Sequence, residues 1–463
     1  PHPRQVRRPP RQVLCHQVAI GVDFLISEYI VCISDSQKCV NTLKKEMGMI
    51  DRDIHLKRLI ALKHNGMIKI VTGIRRCGKS TLLFKLFAEH LKQSGVDEKH
   101  IVKVDLEDRR NKSLRDPDEL MAYIDSMIKK DGDMHYVLID EVQYVADFAD
   151  VLNSYLKVDN VDVYVTGSNS RFLSTDVATE FRGRGIEVRI SPLTFREFYS
   201  SFSGTKEEAL TEYMTFGGLP KLLSFTTDQE KIRYLTDLFE TTYLRDIKER
   251  YGIKNEAEFN ELLNILSSSI GALTNPNKVE NTFRSIKKLS LSKHTIRSYI
   301  EIMEEAFLLE KSLRFDIKGK SYIDTPYKCY FTDLGLRNAR IHFRQQEVTH
   351  LMENLIYNEL RLRGFTVDVG MVLYHTKDNG GRSQRKQLEV DFVCNQGSKR
   401  LYIQSAYRLP TPEKQEQEVR SLRLIDDSFR KIVITEDPIK KYQNEDGVVF
   451  LNLYDFLLDE NSL

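Results

Sequence analysis

No charge of one sign dominates this chain, no apolar stretch is long enough to cross a bilayer, and the cysteines form no recognisable ligand set. Each absence removes a class of protein. Lys and Arg number 69 against 67 Asp and Glu, so net charge selects no partner and only local basic patches argue for nucleic acid. Cys15, Cys32, Cys39, Cys77, Cys329 and Cys394 include no Cys-x-x-Cys pair and no histidine at metal-ligand spacing, which speaks against a zinc site or disulfide framework and for a reducing cytoplasm. No run approaches about 18 uninterrupted apolar residues, so no membrane span is expected. What remains is a 463-residue chain with 41% hydrophobic content, enough for two to four cores.

The rest of the chain is organised around Ile68 to Lys85, IKIVTGIRRCGKSTLLFK. Gly73, Gly78, Lys79 and Ser80 fill the pattern G-x-x-x-x-G-K-[ST] between an apolar strand and a helix, the context a phosphate-binding loop needs. Two glycines let the backbone curl so that successive N–H groups face phosphate oxygens, and the helix starting near Lys79 adds its positive end. The cradle is expected to span Gly73, Ile74, Arg75, Arg76, Cys77, Gly78, Lys79, Ser80 and Thr81. Lys79 is assigned to the β- and γ-phosphates and Ser80 to magnesium, with the Arg75, Arg76 and Cys77 side chains turned away.

Counted from the P-loop strand and its helix, the spacing predicts β-α-β-α-β, with further strands at His100–Leu106 and His135–Ile139 and a helix over Pro117–Lys129 between them. HYVLIDEVQ is the second anchor. Its apolar run suits a parallel strand buried on both faces, and the acids follow at its carboxyl end, where open α/β sheets bind ligands. Asp140 is expected to hold magnesium, and Glu141 to act as general base on the attacking water. The strand Val161–Thr166 ends in Gly-Ser-Asn-Ser, where Asn169, or Ser168 beside it, has the place of a γ-phosphate sensor. A helix cap is the plain alternative. Arg182 and Arg184 lie in a glycine-flanked turn, and either suits a finger acting on a neighbouring copy's nucleotide.

GIRRCGKST, VLIDEVQ, VTGSNSRFL, GRGIEVRISPLTFREF and FGGLP (Phe216 to Pro220) together resemble the AAA-type ATP-binding proteins of bacteria and archaea, close to the archaeal ATPases. The resemblance runs from about Met49 to the C-terminus. It implies ATP and Mg2+, and an α/β fold: a P-loop AAA-type parallel-sheet core (47–200), a helical lid or connector (201–257), a winged helix (258–345) and an α/β restriction-endonuclease-like domain (346–463).

The remaining segments fit that plan. Around Ser292 a helix cap leads into a stripe of Ile296, Ile300, Met303 and Phe307, off which lie Lys293 and Arg297. With Arg284, Lys287, Lys288 and the Lys318-Gly319-Lys320 hairpin tip, they offer duplex DNA a basic face, although winged helices also dock proteins. In the last domain Glu353, Asp391 and Gln404-Ser405-Ala406 take the positions at which the resemblance places a nuclease's helix acid, metal-binding Asp and Glu/Gln-x-Lys. Ala406 stands where lysine belongs, so the nuclease fold is expected to be inactive unless Arg408, on the same strand face, substitutes. Residues 1–46, Pro- and Arg-rich at the start, share none of these patterns. They are read as a non-native extension ahead of Met47 or Met49, with a basic arm as the alternative. The function expected is that of a cytoplasmic AAA-type ATPase that couples nucleotide state to its C-terminal module, with a second copy of the chain, in a homo-oligomer, considered as a partner beside ATP and DNA. The rivals are a nucleotide-gated regulator with negligible turnover and an ATP-dependent nuclease.

Overall fold

A computed structural model describes residues 50–129, 131–167, 181, 183–287, 291–344, 347–377 and 383–463. The extension 1–46, Ser168, Asn169, Arg182 and Lys288 fall outside these residues. After α1 (Asp53–Ala61) the chain forms β1 (Ile68–Thr72) and a helix, α2, that starts at Lys79–Thr81 and continues through Leu82–Phe87 and Ala88–Gln93. There follow β2 (Ile101–Asp105), α3 (Pro117–Met127), β3 (His135–Asp140), α4 (Phe148–Tyr155), β4 (Val161–Thr166) and β5 (Gly185–Arg189). The strands make one five-stranded sheet in the order β2-β3-β4-β1-β5, parallel at every pair.

Its register follows from burial. Every residue of β1 and β3 is buried, as a strand covered on both faces requires. Ile68, Ile70, Val137, Ile139, Val163 and Val165 share one core with Leu120 and Ile124 of α3 and Leu152 of α4. Because the strands are parallel, the ends of β1, β3 and β4 that carry Thr72, Asp140 and Thr166 lie along one edge.

A helical stretch follows: α5 (Phe195–Ser201), α6 (Lys206–Phe216), α7 (Asp228–Leu238, running on through Phe239–Leu244 and Arg245–Tyr251), α8 (Glu256–Ser268), β6 (Leu273–Thr274), α9 (Pro276–Thr282) and α10 (Lys293–Glu305). Thr194, Thr205 and Thr227 cap their helices with the N3 glutamates Glu197, Glu208 and Glu230, reciprocal capping boxes that fix where these helices begin.

The rest comprises β7 (Leu309–Asp316), β8 (Ser321–Phe331), α11 (Leu334–Arg340), α12 (Val348–Leu362), β9 (Thr366–Lys377), β10 (Ser383–Gln396), β11 (Lys399–Ala406), α13 (Pro412–Arg423), β12 (Arg430–Thr435), β13 (Tyr442–Gln443), β14 (Val448–Asn452) and α14 (Leu453–Leu458). Here the sequence division at 345/346 meets a continuous structure. The hairpin β7–β8 pairs into the C-terminal sheet through a parallel register, Arg314 with Val369 and Asp316 with Met371, giving nine strands in the order β13-β14-β12-β11-β10-β9-β7-β8-β6. Phe315 and Ile317 pack in the same core as Val372, Val390, Tyr402 and Val433. Apolar residues on the hairpin thus extend the later sheet rather than close a separate small one.

Candidate nucleotide site and an acidic cluster

The loop after β1 is shaped by backbone geometry. Gly73 has φ 138°, and a Cβ there would stand 2.2 Å from the Ile190 carbonyl oxygen, so no other residue fits. Ile74 and Cys77 are buried, leaving the backbone to line the inside of the curl. The Lys79 ammonium, itself buried, donates to the carbonyls of Gly73 (3.0 Å) and Ile74 (3.1 Å). These bonds hold the charge inside the loop it would share with a phosphate.

The outer side of the loop is held by residues far away in sequence. Arg52 donates to the Cys77 carbonyl at 3.1 Å, and the Tyr243 hydroxyl donates to the Arg75 carbonyl at 2.7 Å. Arg75 pairs with Asp246 at 2.7 Å, so its side chain points to the connector helix, away from the cradle. Arg76 is exposed at φ 64°. Ser80 and Thr81 are exposed at the helix start.

Strand order explains how the acids reach this loop. β4 lies between β1 and β3, so Thr166 at its end stands between loop and acids. Its hydroxyl donates to Asp140 and accepts the Glu141 N–H at 3.0 Å. Burial raises the Asp140 pKa, while hydrogen bonds from the Thr166 and Ser80 hydroxyls oppose the rise. Ser80, at the start of α2, thus stands near enough to Asp140 to oppose that rise. Glu141 has φ 54°, a left-handed conformation that costs a β-unbranched residue about 1 kcal/mol, and Gln143 donates to its carboxylate. A hydroxyl and a carboxylate are hard oxygen donors, the set that suits Mg2+.

The other site residues fall elsewhere. Arg184 is exposed just before β5, where its carbonyl accepts the Ile68 N–H at 2.9 Å. It is therefore at the amino-terminal edge, roughly 16 Å of strand from the loop of its own chain. Lys293, Arg297, Lys318 and Lys320 are all exposed. Sequence reasoning missed Thr166, Arg52, Tyr243 and Asp246. Only Thr166, a polar end to an apolar strand, carried a signal.

Two further polar groups need placing. Among the described residues His100, Asp131 and His135 lie close enough to share an ion. Their ring nitrogens are already engaged: His100 Nε2 with Asp131 at 2.8 Å, His135 Nε2 with the Lys129 N–H at 2.9 Å, and His135 Nδ1 with the Asp133 carbonyl at 3.0 Å. This group clamps a loop at the sheet edge opposite the P-loop. In the C-terminal sheet, Glu353 and Asp391 do converge, both buried, and Asp391 accepts the Ser405 N–H at 2.8 Å. Arg408 pairs with Glu436 at 3.4 Å rather than with these acids.

A model of the AAA domain matches residues 65–199. An uncharacterized protein of Haemophilus influenzae is 31% identical over 418 residues, covering 89% of this chain and 99% of that protein. The chain belongs to the AAA-type P-loop ATPase family. The uncharacterized protein MJ1544 of Methanocaldococcus jannaschii is 29% identical over 434 residues, 89% of this chain and 91% of its own. A domain of unknown function matches residues 207–347. Among solved structures, the Walker-type ATPase PABY2304 of Pyrococcus abyssi shares 15% identity over 63% of this chain and 96% of its own, with a TM-score of 0.43. The Aeropyrum pernix ORC1 protein in complex with DNA gives 11%, 64%, 93% and 0.26 in the same terms. No helix among the described residues is long and apolar enough to cross a membrane.

Proposed function

We propose that this AAA-type protein binds and hydrolyses ATP with Mg2+ at the loop Gly73–Thr81 and uses the cycle to move its C-terminal module. The observation that carries this reading is the buried Lys79, whose ammonium among the described residues is held by its own loop's carbonyls, on the same sheet edge as Asp140 and Glu141, which Thr166 positions. Backbone N–H groups of the loop bind the phosphates, and Lys79 exchanges carbonyl oxygens for phosphate oxygens. Ser80 and Asp140 would hold Mg2+, which supplies charge neutralisation at the phosphates. Glu141 takes a proton from the attacking water, and Asn169 orients that water or the γ-phosphate. Catalysis in such a site is mainly positioning and electrostatics. Arg184 lies too far from its own loop, so its finger role belongs to the nucleotide of a second copy.

A contiguous set of contacts supports the coupling. A Cβ on Gly78 would stand 3.8 Å from the Pro220 ring. Two residues earlier, the Gly218 N–H donates to Asp333 at 2.8 Å, and Asp333 caps α11 at the end of β8. Separately, Arg189 of β5 pairs with Glu310 of β7 at 2.5 Å, which Arg361 of α12 also binds at 2.9 Å. Rigid neighbours of this kind are what a nucleotide-driven shift would push on.

Duplex DNA is the partner this reading favours, met by Lys293, Arg297, Lys318 and Lys320 on the winged-helix face. Support comes from their shared exposure and from the burial of Ile296, Ile300 and Met303 on the opposite side of α10. Phosphate release should rise several-fold with duplex DNA, and Lys293→Ala/Arg297→Ala should remove the stimulation while leaving the basal rate. Stimulation unchanged in that variant would move the DNA contact elsewhere, and no stimulation at all would point to a protein partner.

A further inference from the structure

The C-terminal sheet gathers three carboxylates around a cation that comes from outside its own segment. Glu353 is on α12, Glu389 and Asp391 are on β10, and the register of β10 against β9 shifts between Val390 and Val393, at Asp391. Lys328 reaches them from β8, within the segment 207–347. Its Nζ lies 2.7 Å from Glu353 Oε1, 2.7 Å from Glu389 Oε1 and 3.7 Å from Asp391 Oδ1. Tyr330, two residues along the same strand, donates to Glu353 Oε1 at 2.6 Å.

Geometry decides what this lysine does. Lys328 is 3% exposed, and its ammonium occupies the middle of the carboxylates. A divalent ion binding the same oxygens would need to be about 2.0–2.2 Å from each, which puts it almost on top of Nζ. Two cations in that space repel strongly at low dielectric, so ammonium and metal exclude one another. Burial pushes the Lys328 pKa down, but Glu353, Asp391 and Glu389 together hold it above its ordinary value, so the ammonium stays charged. Ala406 is buried in the neighbouring apolar core and brings no charge. Lys328 is therefore the cation seated between the three carboxylates, with His350 Nδ1 at the margin, 4.0 Å from Glu353 Oε2.

We propose that Lys328 is the resident counter-ion of this cluster, filling the place of a divalent metal, so that the nuclease-like sheet is closed to metal and tied to the hairpin before it. The consequence is mechanical as well as chemical. A buried ammonium shared by α12 and β10 fixes β8 to both, and β8 leads directly to Asp333 and the Gly217–Gly218 turn.

The test uses the full-length, nucleotide-free protein and Mn2+ alone, read by thermal melting and by the EPR signal of free Mn2+. Wild type should show no bound Mn2+ that Asp391→Asn removes, and no melting shift that Asp391→Asn removes. Lys328→Met should melt several degrees lower in EDTA, because the buried Glu353 and Asp391 and the half-buried Glu389 lose their cation. Mn2+ should restore at least half of that loss, and Lys328→Met/Asp391→Asn should not be restored. A folded Lys328→Met that Mn2+ fails to restore overturns the proposal. If Lys328→Met does not fold, the wild-type EPR measurement decides: Mn2+ bound by wild type and lost in Asp391→Asn overturns the proposal, and its absence supports it.

Discussion

Thr166 shows how much of the site depends on one side chain outside the motifs. Its hydroxyl orients both acids, bonding the Asp140 carboxylate and the Glu141 N–H. Thr166→Val keeps the shape and removes both bonds. The turnover number should fall about 10- to 100-fold, the usual effect of losing a residue that orients ligands, with ATP affinity held within a few-fold. Steady-state kinetics beside a nucleotide titration separates the two. Gly73 is a second such point. In Gly73→Ala the Cβ would meet the Ile190 carbonyl at 2.2 Å, so the loop must open or β5 must move. A loss of at least about 2 kcal/mol in stability, seen as a lower Tm, and of tenfold or more in ATP affinity is expected. Gly73, Lys79, Ser80, Asp140 and Glu141 were legible because each is fixed to a strand end by local pattern. Arg52 and Tyr243 were not, because a hydrogen bond to a loop carbonyl from far along the chain leaves no periodicity.

At the scale of elements, the turn after α6 and the cap of α11 form one joint. A Cβ on Gly217 would lie 2.3 Å from Asp333 Oδ1, so this glycine (φ 80°) is dictated by the approach of another element's carboxylate. In the sequence this pair stood out only as part of the FGGLP segment, which does not show what it docks against. Burial pushes the Asp333 carboxyl from 3.8 to about 6, against the N–H bonds of Gly218, Leu336 and Gly335. The folded state therefore holds this proton up to higher pH than the unfolded chain does. The group's contribution to stability is greatest below about pH 4, falls as pH rises to about 6, and is constant beyond. The fall is on the order of 3 kcal/mol. Asp333→Asn, which does not titrate, lacks this slope, so the stability gap between it and wild type should narrow from pH 4 to 6 and then level off. A gap that stays constant across that range, by denaturant unfolding, would remove Asp333 from the pH response.

Across the whole molecule, four strands of the five-stranded sheet were legible one by one, since short runs rich in Val, Ile and Tyr and bounded by loop signals specify buried strands. The nine-stranded sheet was legible only as separate strands. Nothing local in LEKSLRFD indicates that its neighbour is Thr366–Lys377 rather than a third wing strand, because pairing is decided by which apolar faces share a core. The same long-range pairing carries Lys328 into a carboxylate cluster that sequence reasoning had searched only for a lysine at 406. It also places Glu310 against Arg189, at the strand end next to the nucleotide loop.

The central claim is that Glu141, held by Thr166 across from the Gly73–Thr81 loop, activates water for ATP hydrolysis. The most direct test is phosphate release from wild type and Glu141→Gln, each with its ATP affinity measured, and with Lys79→Ala as the binding-deficient control. Glu141→Gln should bind ATP as tightly as wild type and turn it over about 100-fold or more slowly, while Lys79→Ala should not bind. Equal turnover in Glu141→Gln and wild type would contradict it.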